Sequence, residues 1–198
     1  MSALPRGRHK LSRAEVVAAQ RERLLRATAE AMSERGYVDT SVADILRRAG
    51  VSRETFYEQF SSKQDCFIAT LDHIIAVLQA SMLSSSAAAA GKPEQRLDAM
   101  LATYLDALAS EPALARVFLI EVYAAGEAAM RRRLELQDQF AQVLAEILGA
   151  RSAADRFACT TVVAAISSLV TARIVEDDLD GLRALRKPLM VLAKRLFS

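Results

Sequence analysis

The sequence contains few of the residues that interrupt helices. Its 198 residues include seven glycines, four prolines and no tryptophan, whereas alanine and leucine are abundant beside arginine and glutamate. This composition is typical of helices rather than sheets. Hydrophobic residues make up 52% of the chain, which is enough for a substantial core and excludes general disorder. The composition therefore predicts an all-α protein.

Cysteine and histidine are equally scarce. Cys66 and Cys159 lie far apart and outside any CxxC or Cys/His spacing, which argues against disulfides and zinc and favours buried, reduced thiols. The two histidines are His9 and His73, and no GxSxG, P-loop, GxGxxG or HExxH motif is present. We therefore expect no catalytic residues, no metal and no cofactor, and a protein that is not an enzyme.

Long apolar runs are also missing. We find no stretch near the ~20 residues of a membrane span and no signal peptide, so we expect a cytoplasmic protein without a membrane partner. Residues 1–63 hold 12 Lys/Arg against 8 Asp/Glu, whereas the remainder holds 14 against 16. Residues 1–13 carry four basic residues and no acid. They form either a basic arm near a polyanion or a solvated tail, and charge alone favours neither.

Helix start and stop signals recur through the first third of the chain. Serine or threonine can cap a helix start, and glycine can take the left-handed conformation at its end. The predicted starts are Ser12, Thr40 or Ser41, Ser52, and Ser61 or Ser62, and the predicted ends are Gly36 and Gly50. Three helices thus fit into residues 14–61, and a long apolar stripe follows on a fourth.

The rest of the chain, residues 62–198, predicts further helices. The segment 84–92, "SSSAAAAGK", favours a linker or frayed end, and Pro93 and Pro112 can each open a helix. Residues 113–125 are apolar nearly all round, which indicates a buried helix. Another helix ends at Gly149, and one follows at about 153–176. Pro188 indicates a kink or a start in the last helical segment.

Two short helices joined across "AGVS" have the spacing of a helix-turn-helix, in which the second helix enters the major groove of DNA. Arg53 can bind guanine, Thr55 can offer a hydroxyl or methyl contact, and Gln59 can bind adenine if it faces outward. Phe56 and Phe60, four residues apart, would anchor that helix. An ordinary helical hairpin with a solvated polar face remains the alternative.

The string "GYVDTSVADILRRAGVSRETFYEQFSSKQDCF", residues 36–67, resembles the N-terminal DNA-binding signature of the TetR family of bacterial transcriptional regulators. The resemblance implies about nine helices, with a DNA-binding domain at 14–61 and an effector-binding and dimerisation domain at 62–198. It also implies a homodimer formed through the last two helices.

Transferred by position, the resemblance assigns phosphate contacts to Tyr57, Lys63 and one of Thr40 and Ser41. The residues expected at or near DNA are Thr40, Ser41, Arg48, Ser52, Arg53, Glu54, Thr55, Tyr57, Gln59 and Lys63. Glu54 departs from the family, where this position is often small. Its carboxylate either reads a cytosine amino group or is held away from DNA by Arg53 or Arg21.

For the second domain the resemblance implies a pocket for a small, apolar or amphipathic effector. The candidates are aromatic and polar residues on otherwise apolar helices: Met100, Tyr104, Arg116, Phe118, Glu121 and Tyr123. Core packing is the alternative for each of them. The predicted dimer interface comprises Phe157, Thr161, Ala164, Ser168, Leu182, Leu185, Leu189, Leu192 and Leu196.

These features together predict a ligand-responsive transcriptional regulator, acting as a repressor on a palindromic DNA operator. A dimer would set two recognition helices about 34 to 36 Å apart, one turn of DNA. Two alternatives stay open: an activator on the same fold without a ligand response, and a helical interaction or adaptor protein that does not read DNA.

Overall fold

The structure, a computed structural model, describes residues 12–89 and 91–197, so most of the predicted basic arm lies outside it. The described residues form nine helices and no strand, which confirms the all-α prediction. The helices are α1 (Arg13–Asp39), α2 (Val42–Ala49), α3 (Arg53–Gln59), α4 (Lys63–Ala88), α5 (Pro93–Ser110), α6 (Pro112–Arg116, Val117–Glu121 and Val122–Ala124), α7 (Glu127–Leu148), α8 (Ala153–Val175) and α9 (Leu179–Ala184 and Arg186–Phe197). The middle segment of α6 is π-helical.

The predicted caps of the first four helices are confirmed. The side chains of Ser12, Ser41, Ser52 and Ser62 each accept a hydrogen bond from the backbone N–H three residues later. Gly36, inside the last turns of α1, has a φ of 78° and interrupts the regular helix there. These serines satisfy amide groups that a helix start would otherwise leave without a partner.

Helix α4 continues through the serine- and alanine-rich segment, so the prediction of a linker from residue 84 was wrong. The helix reaches Ala88, and Ser86 is buried. The Ser85 hydroxyl donates to the Met82 carbonyl oxygen at 2.9 Å, an internal bond that lets serine stay within a helix. Alanine, the strongest helix former, then favours extension over fraying.

The effect of Pro188 is local. Helix α9 is broken at Leu185, and its second segment begins at Arg186, which places Pro188 within the first turn of that segment. Proline is tolerated there because the N–H that it lacks would have no helical partner. Pro188 therefore marks the start of a segment.

The helices form a small head and a larger body that share one continuous core. Helices α1, α2 and α3 make the head, and α4 runs from the head into the body, where it packs along α5. Helix α8 packs on α7, and α9 covers α5 and α8. The main core cluster joins residues of the head, such as Phe56, to residues of the body, such as Leu105 and Val122.

Two helices are more hydrophobic than we expected when we predicted that no stretch is long enough to span a membrane. Helices α4 and α8 each contain an 18-residue window of mean hydropathy 1.7, which by length and composition is enough to cross a membrane. In α4 the apolar residues Phe67, Leu71 and Ile75 are buried in the protein core. Core packing accounts for part of the hydropathy of α4, whose window is 33% buried, and for less of that of α8, whose window is 22% buried.

Replacement of Gly50 should destabilise the head through backbone strain alone. Gly50 has φ 63° and ψ 41°, and no heavy atom lies within 4 Å of the position that a Cβ would occupy. We expect Gly50→Ala to lower the free energy of unfolding by about 1 to 2 kcal/mol, and Gly50→Asn by less, because asparagine tolerates the left-handed conformation better. Urea denaturation measures both; equal stability of Gly50→Ala and the unaltered protein would contradict this.

Candidate DNA-binding and effector sites

Helix α3 is held to the head by its aromatic face. Phe56 and Phe60 are buried, and their ring centroids are 5.6 Å apart. The guanidinium of Arg21 on α1 lies 4.6 Å from the Phe60 ring centroid, a cation–π contact. Because this face points inward, the opposite face of α3 is turned to solvent.

The exposed face of α3 carries three of the predicted contact residues. Arg53, Glu54 and Tyr57 are exposed, and Tyr57 has 46% of its surface accessible. The Arg53 guanidinium lies 5.4 Å from the Tyr57 ring centroid, which aligns the two side chains. Glu54 has no ion pair with Arg53, Arg21 or any other described residue. Its carboxylate is therefore left facing solvent.

Hydroxyl groups define the starts of α2 and α3. Ser52 Oγ accepts from the Thr55 N–H at 3.1 Å and lies 2.9 Å from Thr55 Oγ1. Ser41 and Asp44 form a reciprocal cap at the start of α2. The hydrogen bonds from the Ser41 hydroxyl and backbone N–H lower the pKa of Asp44 to about 2, so its carboxylate stays ionised at neutral pH.

Three residues of the predicted DNA-contact set have polar groups that are buried or paired within the protein. Thr40 is 1% exposed, and its hydroxyl donates to the Gly36 carbonyl at 2.7 Å. Arg48 pairs through both terminal nitrogens with Glu34 on α1, which lowers the pKa of that carboxyl. Gln59 turns its amide oxygen inward, where it is buried without a partner among the described residues. Burial and pairing of this kind are set by tertiary contacts.

Lys63, at the start of α4, binds that helix to the last turn of α1 and to Thr40, which follows α1. Its ammonium donates to the carbonyl oxygens of Tyr37 and Thr40 at 2.7 and 2.8 Å. It also lies 4.2 Å from the Tyr37 ring centroid. Burial lowers the pKa of Lys63, and the charge of Asp39 partly offsets this. Two of its three N–H groups are thus committed within the protein.

Glu121 of α6 fastens the body to the same turn. Its carboxylate accepts from the Tyr37 backbone N–H at 2.7 Å. A Cβ on Gly36 would lie 3.0 Å from Glu121 Oε2, so the glycine leaves room for the carboxylate. The Gln64 side chain donates to the Ala125 carbonyl oxygen just beyond α6. Glu121 was predicted to bind an effector, but the structure places it in this contact, which we call the head–body junction and define by Tyr37, Lys63, Gln64 and Glu121.

The body contains a partly open cavity among α4, α5, α6, α7, α8 and α9. Its volume is about 110 Å³, measured as the space open to the centre of a water molecule. Three of the six candidate effector residues, Met100, Tyr104 and Phe118, lie in its wall. The other apolar residues of the wall include Leu71, Ile75, Leu97, Leu136, Phe140, Val162, Ile166 and Leu189.

A small polar group interrupts this apolar wall. Arg133 and Gln137 on α7 both donate to the Ser167 hydroxyl of α8 at 2.9 Å. Arg133 also donates to the Phe118 carbonyl oxygen at 3.1 Å. Sequence reasoning missed these three residues. The available signal was the spacing of Arg133, Gln137 and Phe140, which places two polar side chains on the inward face of α7.

Two other candidate effector residues lie outside the cavity wall. Arg116 donates to the Ile174 carbonyl at 3.0 Å, near the end of α8. Tyr123 is 58% exposed, and its ring centroid lies 5.4 Å from the Arg133 guanidinium carbon. Neither was distinguishable by sequence from the residues that do line the cavity, because all lie on helices with mixed faces.

The predicted dimer residues divide into two groups. Phe157, with 74% of its surface accessible, and Thr161, Ala164 and Ser168 form an exposed row on one face of α8, and Leu192 and Leu196 of α9 are exposed as well. By contrast, Leu182, Leu185 and Leu189 are buried in the core of the same chain. This part of the leucine row therefore packs inward, because α9 lies against α5 and α8.

Truncation of Glu121 should destabilise the protein, because it removes a hydrogen bond of the head–body junction. Glu121→Ala leaves the part-buried Tyr37 N–H without its acceptor, so we expect the free energy of unfolding to fall by about 1 to 3 kcal/mol. Glu127→Ala removes a carboxylate from the exposed start of α7 and should change it by less than about 0.5 kcal/mol. Equal losses in urea denaturation would refute a special role for Glu121.

Family models match both parts of the chain. Residues 24–70 match the family described as "Bacterial regulatory proteins, tetR family", and residues 90–173 match "Tetracyclin repressor-like, C-terminal domain". The first match contains the helix-turn-helix, and the second contains most of the cavity wall. Together they cover more than half of the chain.

Individual relatives agree with this assignment. An uncharacterised HTH-type transcriptional regulator of Lactococcus lactis is 26% identical over 79% of this chain and 85% of its own length. The transcriptional regulator BetI of Escherichia coli is 36% identical over 44% of this chain and 45% of its own length.

Solved structures share the fold. FadR of Bacillus subtilis, determined in complex with stearoyl-CoA, has a TM-score of 0.76 at 20% identity and covers 89% of this chain and 97% of its own. SCO4454, a TetR-family regulator of Streptomyces coelicolor, has a TM-score of 0.76 at 20% identity and covers 96% and 98%. The chain therefore belongs to the TetR family, whose members are DNA-binding transcriptional regulators and not enzymes, as its sequence predicted.

Proposed function

We propose that this protein is a cytoplasmic, ligand-responsive repressor that binds a palindromic operator as a homodimer and leaves it when a small effector enters the cavity. One observation carries the proposal. Two helices, α4 and α6, contribute both to the cavity wall and to the head–body junction. A change in cavity occupancy would therefore act directly on the orientation of the head.

Helix α4 supplies the first connection. Lys63 in its first turn binds the end of α1 and the residue that follows it, whereas Leu71, Ile75 and Met82 farther along line the cavity. Because α4 is one uninterrupted helix, a shift of its cavity end tilts its head end. An effector that favours the tilted position would lower operator affinity by its differential affinity for the two states.

Helix α6 supplies the second connection over a shorter path. Phe118 and Leu119 line the cavity, and Glu121, in the same π-helical segment, accepts from the Tyr37 N–H. π-helical turns within α-helices are frequent at functional sites. A ligand that displaces Phe118 would disturb the segment that holds the head.

At the DNA surface, the exposed face of α3 supports base and phosphate contacts. Arg53 is exposed and would bind guanine, the half-buried Thr55 would offer a hydroxyl contact, and the exposed Tyr57 would contact a phosphate. Between the two residues considered at the start of α2, exposure favours Ser41 over the buried Thr40. Helix start amides at Ser41 and Ser62 would add attraction for phosphate.

The homodimer is proposed to form through the exposed row of α8 and the end of α9. Phe157, Thr161, Ala164 and Ser168 recur every three or four residues, as helix-pairing faces do. Small side chains at 164 and 168 allow close approach of a second helix. An interface here would cover the apolar surface of α8 that the single chain leaves exposed.

Operator selection with the purified protein tests DNA binding and the role of Arg53 together. We expect bound genomic fragments to share a palindrome, and Arg53→Ala to cost about 1 to 3 kcal/mol with relaxed preference at one base pair per half-site. Arg131→Ala removes an exposed charge of α7, far along the chain from the head, and should leave affinity unchanged. A uniform loss across all base substitutions would show that Arg53 contacts phosphate alone.

A charge within the α8 row should break the dimer. Ala164→Glu would place a carboxylate in the proposed interface, so we expect the protein to sediment as a monomer and to lose operator affinity. Ala80→Glu makes the same change at an exposed position on α4 and should remain dimeric. Analytical ultracentrifugation decides; two variants with identical sedimentation would refute this interface.

A further inference from the structure

We infer that the effector is an amphipathic carboxylate, an apolar chain with one anionic head, and that Arg133 binds this head. The inference rests on the proposed function, since it takes the cavity to be the effector site. It adds the chemical class of the ligand. Three features of the cavity wall carry it: an unpaired charge, an excess of hydrogen-bond donors around that charge, and an apolar remainder.

The unpaired charge belongs to Arg133. It is the one ionic side chain in the cavity wall, and it is half-buried. Its hydrogen bonds go to the carbonyl oxygens of Phe118 and Leu119 and to the Ser167 hydroxyl, all neutral groups. No carboxylate of the described residues lies within ion-pair distance of it. A charge partly removed from water without a counter-ion is costly, so an anion in the cavity would be stabilised here.

The groups around Arg133 are able to donate to that anion. Ser167 Oγ already accepts from Arg133 and from Gln137, which occupies both of its lone pairs and leaves its own proton to donate. The Tyr104 hydroxyl has no hydrogen-bond partner among the described residues. Burial raises the pKa of Tyr104 to about 12, with the charge of Arg133 partly offsetting the rise, so the phenol keeps its proton. Tyr104, Arg133 and Ser167 thus offer donors to an acceptor group.

The remainder of the wall restricts the body of the ligand. Apart from these residues and Gln137, the wall is built of aliphatic, methionine and phenylalanine side chains. A sugar or nucleotide would leave its hydroxyl groups without partners there. The 110 Å³ open to the centres of water molecules corresponds to about four waters at ~30 Å³ each, and ligand atoms can also fill the space around those centres, which leaves room for an alkyl chain. A cationic amphipath would meet the charge of Arg133.

Arg133 also connects this head group to the junction. The same guanidinium that would bind the carboxylate holds the carbonyls of Phe118 and Leu119, and Glu121 follows in the same π-helical segment. An anion that draws Arg133 toward the cavity weakens its hold on these carbonyls. Among the contacts of the junction, the hydrogen bond between Glu121 and Tyr37 would then be the first that the ligand weakens.

Calorimetric titration of the full-length protein with decanoate, methyl decanoate and decylammonium tests the class of head group. All three carry the same chain, and only decanoate is anionic. We expect decanoate to bind about 10- to 100-fold more tightly than either of the others. Equal binding of methyl decanoate would overturn the carboxylate assignment in favour of a neutral carbonyl. Binding of decylammonium alone, or of none of the three, would overturn the inference. Operator selection tests the proposed DNA binding separately, so failure of the ligand assignment and failure of the proposed function can be told apart.

Variants then test the residues. Arg133→Gln should abolish the advantage of decanoate over its methyl ester, and Arg133→Lys should restore part of it. Ser167→Ala and Tyr104→Phe should each weaken decanoate binding about 3- to 20-fold. Ser110→Ala makes the serine change at an exposed position of α5 outside the cavity wall and should not. If thermal melting shows Arg133→Gln to be unfolded, Ser167→Ala and Tyr104→Phe decide, and decanoate binding by both equal to that of Ser110→Ala would refute the site.

Discussion

The hydrogen bond from the Tyr37 amide to the Glu121 carboxylate is the contact on which the relation of head to body depends. It lies at Gly36, where the regular turns of α1 are interrupted and where a Cβ would come within 3.0 Å of the carboxylate. Lys63 satisfies the carbonyl of the same Tyr37 from the start of α4. Helices α4 and α6, which both continue to the cavity, thus bind the backbone of the same residue. The head cannot reorient without breaking these charge-assisted hydrogen bonds.

The head is stabilised by a different set of contacts. Phe56 and Phe60 anchor α3 in a core that is continuous with the body, and a serine cap begins each of the two short helices. Helices of seven or eight residues are unstable alone, so packing and caps must supply their stability. The exposed Arg53 and Tyr57 lie on this packed support, which suits the proposed contacts of α3 with base edges.

The cavity combines an apolar wall with a charged side chain, two features that normally conflict. An apolar wall favours ligand binding by burial, yet Arg133 within it is kept charged and without a counter-ion. Neutral carbonyls of the π-helical segment partly satisfy it. This incomplete satisfaction is the physical basis for an anionic ligand, and it places the sensing group beside the segment that holds Tyr37.

Local features of the sequence determined much of this protein: the all-α class, the serine caps, the helix-turn-helix with Gly50 in its turn, the aromatic anchors of α3 and the family. Each depends on residues close together in the chain, whose preferences can be read directly. The tertiary structure alone decided which side of a helix is covered and by what. It buried Thr40 and turned Gln59 inward, paired Arg48 with Glu34, took Leu182, Leu185 and Leu189 into the core, and moved Glu121 from the cavity to the junction. Those outcomes depend on contacts between residues up to 84 positions apart, which local pattern does not encode.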